Sequence, residues 1–425
     1  MKEIREKLAK IVLFLFLLFI PTQLGKHFWP EWSFVLGIRI DYLSPTLYLV
    51  DLLWIGLFLI SNFKTPLSRL KSGHLPLKKG EAFWKFWVGM FIVINILLAT
   101  NRMVAIYGWA RIMQLVWTVC FLKNNRELVK KCLKYIIPIW IIIESLLAIG
   151  QISKGGSLGG LWWWLGERTF DFNTIGIAQI SLVGNGLVRA YGTFSHPNSL
   201  AGFLLVGWIL WTQSSPNPFF DKTGLNLKKI FWWGVFWLGL MGIIMTGSRT
   251  IWLLTGLSLI FFIKKFFGKN KKWIKIIALL VLVLIVSIKI IDFNYPIKNF
   301  LGGWDENGLI KRGQLNLASL EMIKTSPIFG VGAKNFLVKL PDLQNNSHFF
   351  WLQPVHNILL LALSEIGFLG LGILGWGLNS LFRNKKLVKE DWLIIGVILI
   401  SGMVDHYWLT LPQNMWLLTI FLGLV

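Results

Sequence analysis

The sequence predicts an all-α fold, a polytopic bundle of transmembrane helices with about 12 spans and a long helical outer loop between spans nine and ten. Three observations carry this. Of 425 residues, 55% are hydrophobic and only 15% are charged; soluble folds carry roughly 25% charged residues. The apolar residues are gathered in runs, and the basic residues lie between those runs. The same hydrophobicity excludes a disordered chain.

Twelve apolar runs lie near Leu8–Ile20, Pro45–Ile60, Trp84–Leu98, Val104–Leu122, Tyr135–Ile152, Pro197–Gln213, Ile230–Thr246, Thr250–Ile263, Ile274–Ile291, His356–Phe382, Trp392–Asp405 and Leu411–Val425. Met1 to Ile20 is basic and then apolar, as a secretory signal is, but Pro21, Thr22 and Gln23 give no small-x-small cleavage site. An uncleaved first span is expected. Residues 1–425 then form a single integral membrane domain, with 292–355 as a loop subdomain outside the membrane.

The basic clusters set the orientation. The stretches Lys2–Lys10, Lys64–Lys85, Lys123–Lys134, Lys222–Lys229, Lys264–Lys275 and Arg383–Lys389 fall in alternate loops and hold 28 of the 43 Lys and Arg. Short basic loops stay in the cytoplasm. The chain is therefore expected in the cytoplasmic (inner) membrane, multi-pass, with both termini cytoplasmic and lipid as its surroundings. A net charge of +23 also suits nucleic acid, but these clusters lack aromatic readout surfaces and sit at membrane edges, so no nucleic-acid partner is expected. Cys120 and Cys132 carry no disulfide or metal pattern. The 24 Trp suit membrane interfaces; Trp162–Trp164 lies in an outer loop, placed to dip into lipid or to stack on sugar.

The outer loops are Pro21–Ser44, Ser153–His196 and the long 292–355 stretch. Within the last, Leu315, Ala318 and Met322 fall on one face of a helix over Arg312–Thr325, stopped by Ser326-Pro327. Such a helix either lies on the outer membrane surface or packs over the bundle.

Charges in or at the edge of a bilayer are costly and mark function or pairing. Asp51, Arg111, Glu144, Arg249, Glu365 and Asp405 are such residues, and Asp51 and Arg111 are plausible partners. Four outer stretches concentrate polarity. Arg189 to Asn198 leads into span six, where Ser195 or His196 is the expected cap before Pro197. Thr246-Gly-Ser-Arg249 is a hairpin with almost no loop, which pins Arg249 at the outer edge. Arg312 is expected at the start of the loop helix, where anions are favoured. His356-Asn357 precedes span ten, and Glu365 follows nine residues after the His. Each has a bland alternative: a snorkelling Arg249, a solvated Arg312, an interfacial His356.

Outward Arg and His without a metal motif or nucleotide loop suggest one chemistry. Arg matches phosphate bidentately and stays charged. His accepts a proton near neutral pH. Fixed cations stabilise a departing diphosphate. The set suits transfer of a group from a membrane-bound diphosphate to a hydroxyl.

Arg189 with Phe194, His196, Pro197 and Asn198, then Thr246-Gly-Ser-Arg249, then Arg312 with Pro327-Ile-Phe-Gly330-Val-Gly332, then His356-Asn357 with Ser364-Glu365-Ile-Gly367, run in one order along the chain. In this order they resemble the O-antigen ligase and O-antigen polymerase superfamily, bacterial membrane glycosyltransferases of the C-type fold. The resemblance implies an undecaprenyl-diphosphate-linked glycan donor, a glycan, lipid or protein acceptor, no cofactor or metal, and inversion at the anomeric carbon on the periplasmic or extracellular side. It implies that Arg249 and Arg312 bind the diphosphate and that His356 is the catalytic base. Arg189, Asn198, Asn357 and Glu365 are the expected substrate-binding or orienting residues. Two other readings stand beside it: a metal-dependent C-type glycosyltransferase using Glu31 or Asp41, and a lipid-linked oligosaccharide flippase, which needs internal repeats that are not evident here.

Overall fold

The computed structural model describes residues 2–62, 79–182, 185–214, 226–267, 306–344, 352–383 and 385–425. The expected ninth span at Ile274–Ile291, much of the basic cluster Lys64–Lys85, and residues 292–305 and 345–351 of the long loop lie outside the described residues. The described residues are 71% helical, which bears out the all-α class.

The helices come in the expected order. They are α1 (Lys2–Leu18), α2 (Leu49–Asn62), α3 (Lys79–Leu97), α4 (Arg102–Asn124), α5 (Arg126–Lys154), a single turn α6 (Leu161–Trp164), α7 (Pro197–Ser214), α8 (Leu227–Met245) and α9 (Arg249–Phe267). After them come α10 (Glu306–Thr325), α11 (Phe336–Leu343), α12 (Ile358–Phe382), α13 (Lys389–Gly402), the short α14 (Tyr407–Thr410) and α15 (Pro412–Leu424). Among the described residues, four are long and apolar enough to cross a membrane: α4, α5, α8 and α12.

Three boundaries differ from expectation. The second run opens as a strand, because Thr46–Tyr48 pairs antiparallel with Gly25–His27. The helix starts only at Leu49, where Asp51 accepts the Tyr48 N–H at 3.0 Å. Helix α10 runs over Glu306–Thr325, so Arg312 lies inside it and not at its N-terminus. Helix α13 stops at Gly402, which puts Asp405 in the turn that follows. The outer loops hold two more small antiparallel hairpins, Phe34–Val35 with Ile38–Arg39 and Gln179–Leu182 with Asn185–Val188.

Helix α7 is the central post. Its side chains are buried on nearly all sides, from Pro197 to Thr212, as expected of a helix surrounded by others. It packs with α5, α8, α9, α13 and α15 around Trp140, Phe203, Trp208, Phe236 and Phe262. Trp208 sits 4.9 Å from Phe236 and 5.1 Å from Phe262 between ring centroids, the spacing of favourable aromatic pairs. Polar contacts hold the end of this bundle that carries the basic clusters. Arg5 donates to the Ile60 carbonyl at 2.7 Å, Gln213 to Asp391 at 3.0 Å, and Lys385 feels the charges of Arg126, Lys123 and Lys130.

At the opposite end a second core forms. Leu315, Ala318 and Met322 of α10 are buried with Val35, Ile40 and Leu43 of the first outer loop and with Val104, Phe336 and Leu361. That face packs over the bundle; the helix's other side exposes Ile310, Leu317 and Leu320.

The segment Pro327–Gly332 runs along a break in α12. Gly367 adopts φ +64°, a left-handed value inside the helix, and frees carbonyls and amides there. Val331 N–H donates to Ser364 O at 2.8 Å, Gly332 N–H to Glu365 O at 3.0 Å, and Phe368 N–H to Pro327 O at 2.8 Å. A Cβ on Gly330 would strike the Glu365 backbone, and one on Gly367 the Ile328 backbone. Both glycines also have positive φ. Gly367→Ala therefore combines backbone strain of about 1–3 kcal/mol with overpacking of about 1–3 kcal/mol. A fall of several degrees in the thermal unfolding midpoint in detergent is expected. An unchanged midpoint would contradict this role.

Candidate active site

The residues at this end are fixed by anchors from the helices below. Glu144 of α5 accepts from Thr193 Oγ1 at 2.7 Å and from Thr193 N–H at 3.0 Å. Gln151, two turns on, accepts from the Tyr191 and Gly192 amides at 2.9 and 2.8 Å. These two buried side chains explain the polarity inside α5: they hold the loop that carries Arg189 to Asn198. Asp51 and Arg111 form the expected pair at 2.6 Å, with Gln114 donating to the same carboxylate at 3.0 Å.

The loop they hold ends in a cap. The Asn198 N–H donates to His196 Nδ1 at 3.2 Å, so His196 is the capping residue ahead of Pro197. Arg189 donates from Nε to the Thr246 carbonyl at 2.7 Å and from Nη2 to Asn198 Oδ1 at 2.6 Å. Thr246 belongs to the tight turn before Arg249, where Gly247 takes φ +63°. Arg249 opens α9, so a guanidinium and a helix N-terminus are presented together. Arg249 is near enough to Arg189 for their charges to oppose each other.

Asn198 connects this arginine pair to the last turns of the chain. Its Nδ2 donates to Asp405 Oδ2 at 2.8 Å, and Asp405 Oδ1 accepts the His406 N–H at 2.7 Å. His406 packs edge-on against His356, with ring centroids 5.1 Å apart. His356 is delivered by the cap of α12. Asn357 Oδ1 accepts the Leu359 and Leu360 amides at 2.9 and 3.1 Å, and its Nδ2 reaches the Met403 carbonyl at 3.3 Å. That contact ties the start of α12 to the Asp405 turn. Arg312 completes the group, since its charge bears on His196, His356 and His406 together.

The electrostatics follow from burial. Burial, together with the nearby positive charges, lowers His356 to about 4 despite Asp405. His196 is lowered to about 4 for the same reasons. Burial also lowers Arg189, to about 10, which leaves it protonated at neutral pH. Burial raises Asp405, but His406, His196 and His356 outweigh it, so the carboxyl stays below its usual range. His356 is thus neutral at pH 7, with one nitrogen lone pair to offer. Its proton is taken up only as pH falls through about 4. Any activity that needs neutral His356 should therefore hold to well below pH 6 in kcat/KM, which reports the free protein. An acid limb at the ordinary His value near 6.5 would contradict this lowering of His356.

The structure therefore brings together Arg189, Asn198, Arg249, Arg312, His356 and Asn357. Glu365 stands apart. Its carboxylate accepts the Tyr42 hydroxyl at 3.0 Å and the Phe336 N–H at 3.3 Å, in a separate pocket. There Lys334 lies 4.5 Å from the ring centroids of both Tyr42 and Tyr107. Glu365 anchors the segments that carry Tyr42 and Phe336. Glu31 and Asp41 of the first outer loop are exposed. Asp405 and His406 belong to the site, although the run Trp392–Asp405 suggested a charge at a span edge. The sequence signal was available as Asp405-His406 between two short apolar runs.

Comparison with known proteins bears on the same region. Residues 234–375, from α8 through α12, match a family model described as O-antigen ligase. This interval contains Arg249, Arg312, His356 and Asn357, while Arg189, Asn198 and Asp405 lie outside it. No curated protein matches the chain. Helices apolar enough to span a membrane and this match together point to a membrane protein similar to O-antigen ligases. Over residues 234–375, a third of its length, the chain is similar to the O-antigen ligase family, which supports the O-antigen ligase and polymerase superfamily.

Proposed function

We propose that this protein is a glycosyltransferase that moves a glycan from an undecaprenyl-diphosphate donor to an acceptor hydroxyl, with inversion and without a metal. The observation that carries the reading is the meeting of Arg189, Arg249, Arg312 and a neutral, half-buried His356 at one end of the bundle. Arg249 and Arg312 bind the diphosphate, where bidentate hydrogen bonds and fixed positive charge favour the leaving group. The acceptor oxygen attacks the anomeric carbon from the side opposite the diphosphate. The new carbon–oxygen bond forms as the bond to the phosphate oxygen breaks, the hydroxyl proton passes to His356, and undecaprenyl diphosphate departs with the electron pair. Arg189 and Asn198 support the arginine turn, and Asn357 sets the position of His356.

The same reading places the site at the outer face of the cytoplasmic membrane, in one membrane domain of about 12 spans with both termini inside. Support for this comes from the basic ends of α1, α4, α5 and α13 gathering opposite the His–Arg group. Residues 292–355 then form the outer subdomain. Reconstituted vesicles loaded with lipid-linked glycan and acceptor test the activity. A new glycosidic bond on one side, formed in the presence of EDTA, is expected. Movement of intact lipid-linked glycan across the bilayer without bond formation would point to a flippase, and loss of transfer with EDTA to a metal-dependent enzyme.

A further inference from the structure

One feature of the site exceeds what proton transfer requires. Nitrogen and oxygen atoms of His356, Asp405 and His406, one from each, all lie within 4.8 Å of one another. We propose that these three side chains form a binding site for a single borderline divalent metal ion, with Zn²⁺ as the best fit, and that occupancy switches glycan transfer off. The inhibitory part rests on His356 being the base; the binding part does not.

Three observations point to the ion. The donors are two imidazoles and a carboxylate, the set that zinc takes when its fourth position is left open. Their supports are already in place. His406 Nδ1 is 2.7 Å from Thr410 Oγ1, so one ring nitrogen is held and the other is left to a ligand. Asp405 is oriented through both oxygens, by the His406 N–H and by Asn198 Nδ2. Such outer contacts orient metal ligands toward the ion. Finally, His356 Nδ1 is buried and has no hydrogen-bond partner. Buried polar atoms are rarely left so, and a metal bond would satisfy it.

Zinc–nitrogen bonds of about 2.0–2.1 Å put tetrahedral donors about 3.3 Å apart, so the three groups draw together from their present spacing of up to 4.8 Å when the ion binds. A neutral imidazole has one lone-pair nitrogen. When the ion holds it, His356 has no lone pair left for the acceptor proton. Catalysis without a metal and inhibition by one are then properties of the same ring.

The test uses full-length protein in detergent, stripped with chelator and titrated with Co²⁺ and then Zn²⁺. One Co²⁺ per chain with visible d–d absorption, displaced by Zn²⁺, is expected. Asp405→Asn and His406→Ala should each weaken binding at least about tenfold, the scale on which even supporting contacts act. Zn²⁺ should raise the unfolding midpoint of the parent protein and not of these variants, which separates loss of the site from loss of the fold. Absence of saturable Co²⁺ absorption, or equal affinity in the parent and both variants, overturns the site and leaves His356 as base untouched. In the transfer assay, Zn²⁺ should abolish product formation and a chelator should restore it. Binding without inhibition removes the switch and the base assignment together while the site stands. Transfer that requires Zn²⁺ overturns the inhibitory role.

Discussion

His356→Ala is expected to lower glycan transfer by about 10²–10⁴-fold, the usual contribution of a positioned general base. The loss should appear in kcat, because removing the ring leaves the arginines that bind the diphosphate in place. Donor affinity, measured with a labelled lipid diphosphate, should change little. The fold should tolerate the change. His356 is only partly buried, its Nδ1 makes no hydrogen bond, and the helix cap belongs to Asn357. Full transfer by a normally expressed His356→Ala protein would remove the base from the scheme.

Arg249→Lys is the second large effect. Lysine keeps the charge but replaces a planar fork with a point charge. Arg249 stands at the first turn of α9, beside the turn that Arg189 braces through the Thr246 carbonyl. A donor placed there against a developing charge is worth about 10²–10³ in rate. A loss of that order is expected, with the unfolding midpoint held to within a few degrees. Near-native activity would mean that charge alone suffices and that no bidentate contact is made. Comparing single-turnover rates with donor dissociation constants separates chemistry from binding.

How far the sequence could be read depended on the range of the interactions involved. Apolar runs and basic clusters are local, and they foretold the helices and their order. The hairpin at Thr246–Arg249 and the cap at His196-Pro197 were legible for the same reason. What is set by distant partners was not. Glu365 looked like a site residue from its spacing after His356, but it faces Tyr42 and the amide of Phe336 on other elements. Asn95 is buried and makes four contacts, to Phe329 O, Glu365 O, Ala333 N–H and Trp109 Nε1. Nothing in its surroundings in sequence marks it as the clamp on the Pro327–Gly332 segment. Asp405 was visible as a costly charge, yet its place beside His356 arises only when the turn after α13 folds back on the start of α12. Glu144 and Gln151 likewise make sense once the Tyr191–Thr193 backbone is seen above them.

In the proposed reaction this His–Arg group breaks the bond between a glycan and a lipid diphosphate. The most direct measurement follows both products in vesicles that hold the protein, undecaprenyl-diphosphate-linked glycan and a hydroxyl acceptor. Free undecaprenyl diphosphate and glycosylated acceptor are expected to appear in equal amounts, with the anomeric configuration inverted, and both should vanish together in His356→Ala. Release of lipid diphosphate without acceptor product, retention of configuration, or equal yields from the His356→Ala protein would contradict it.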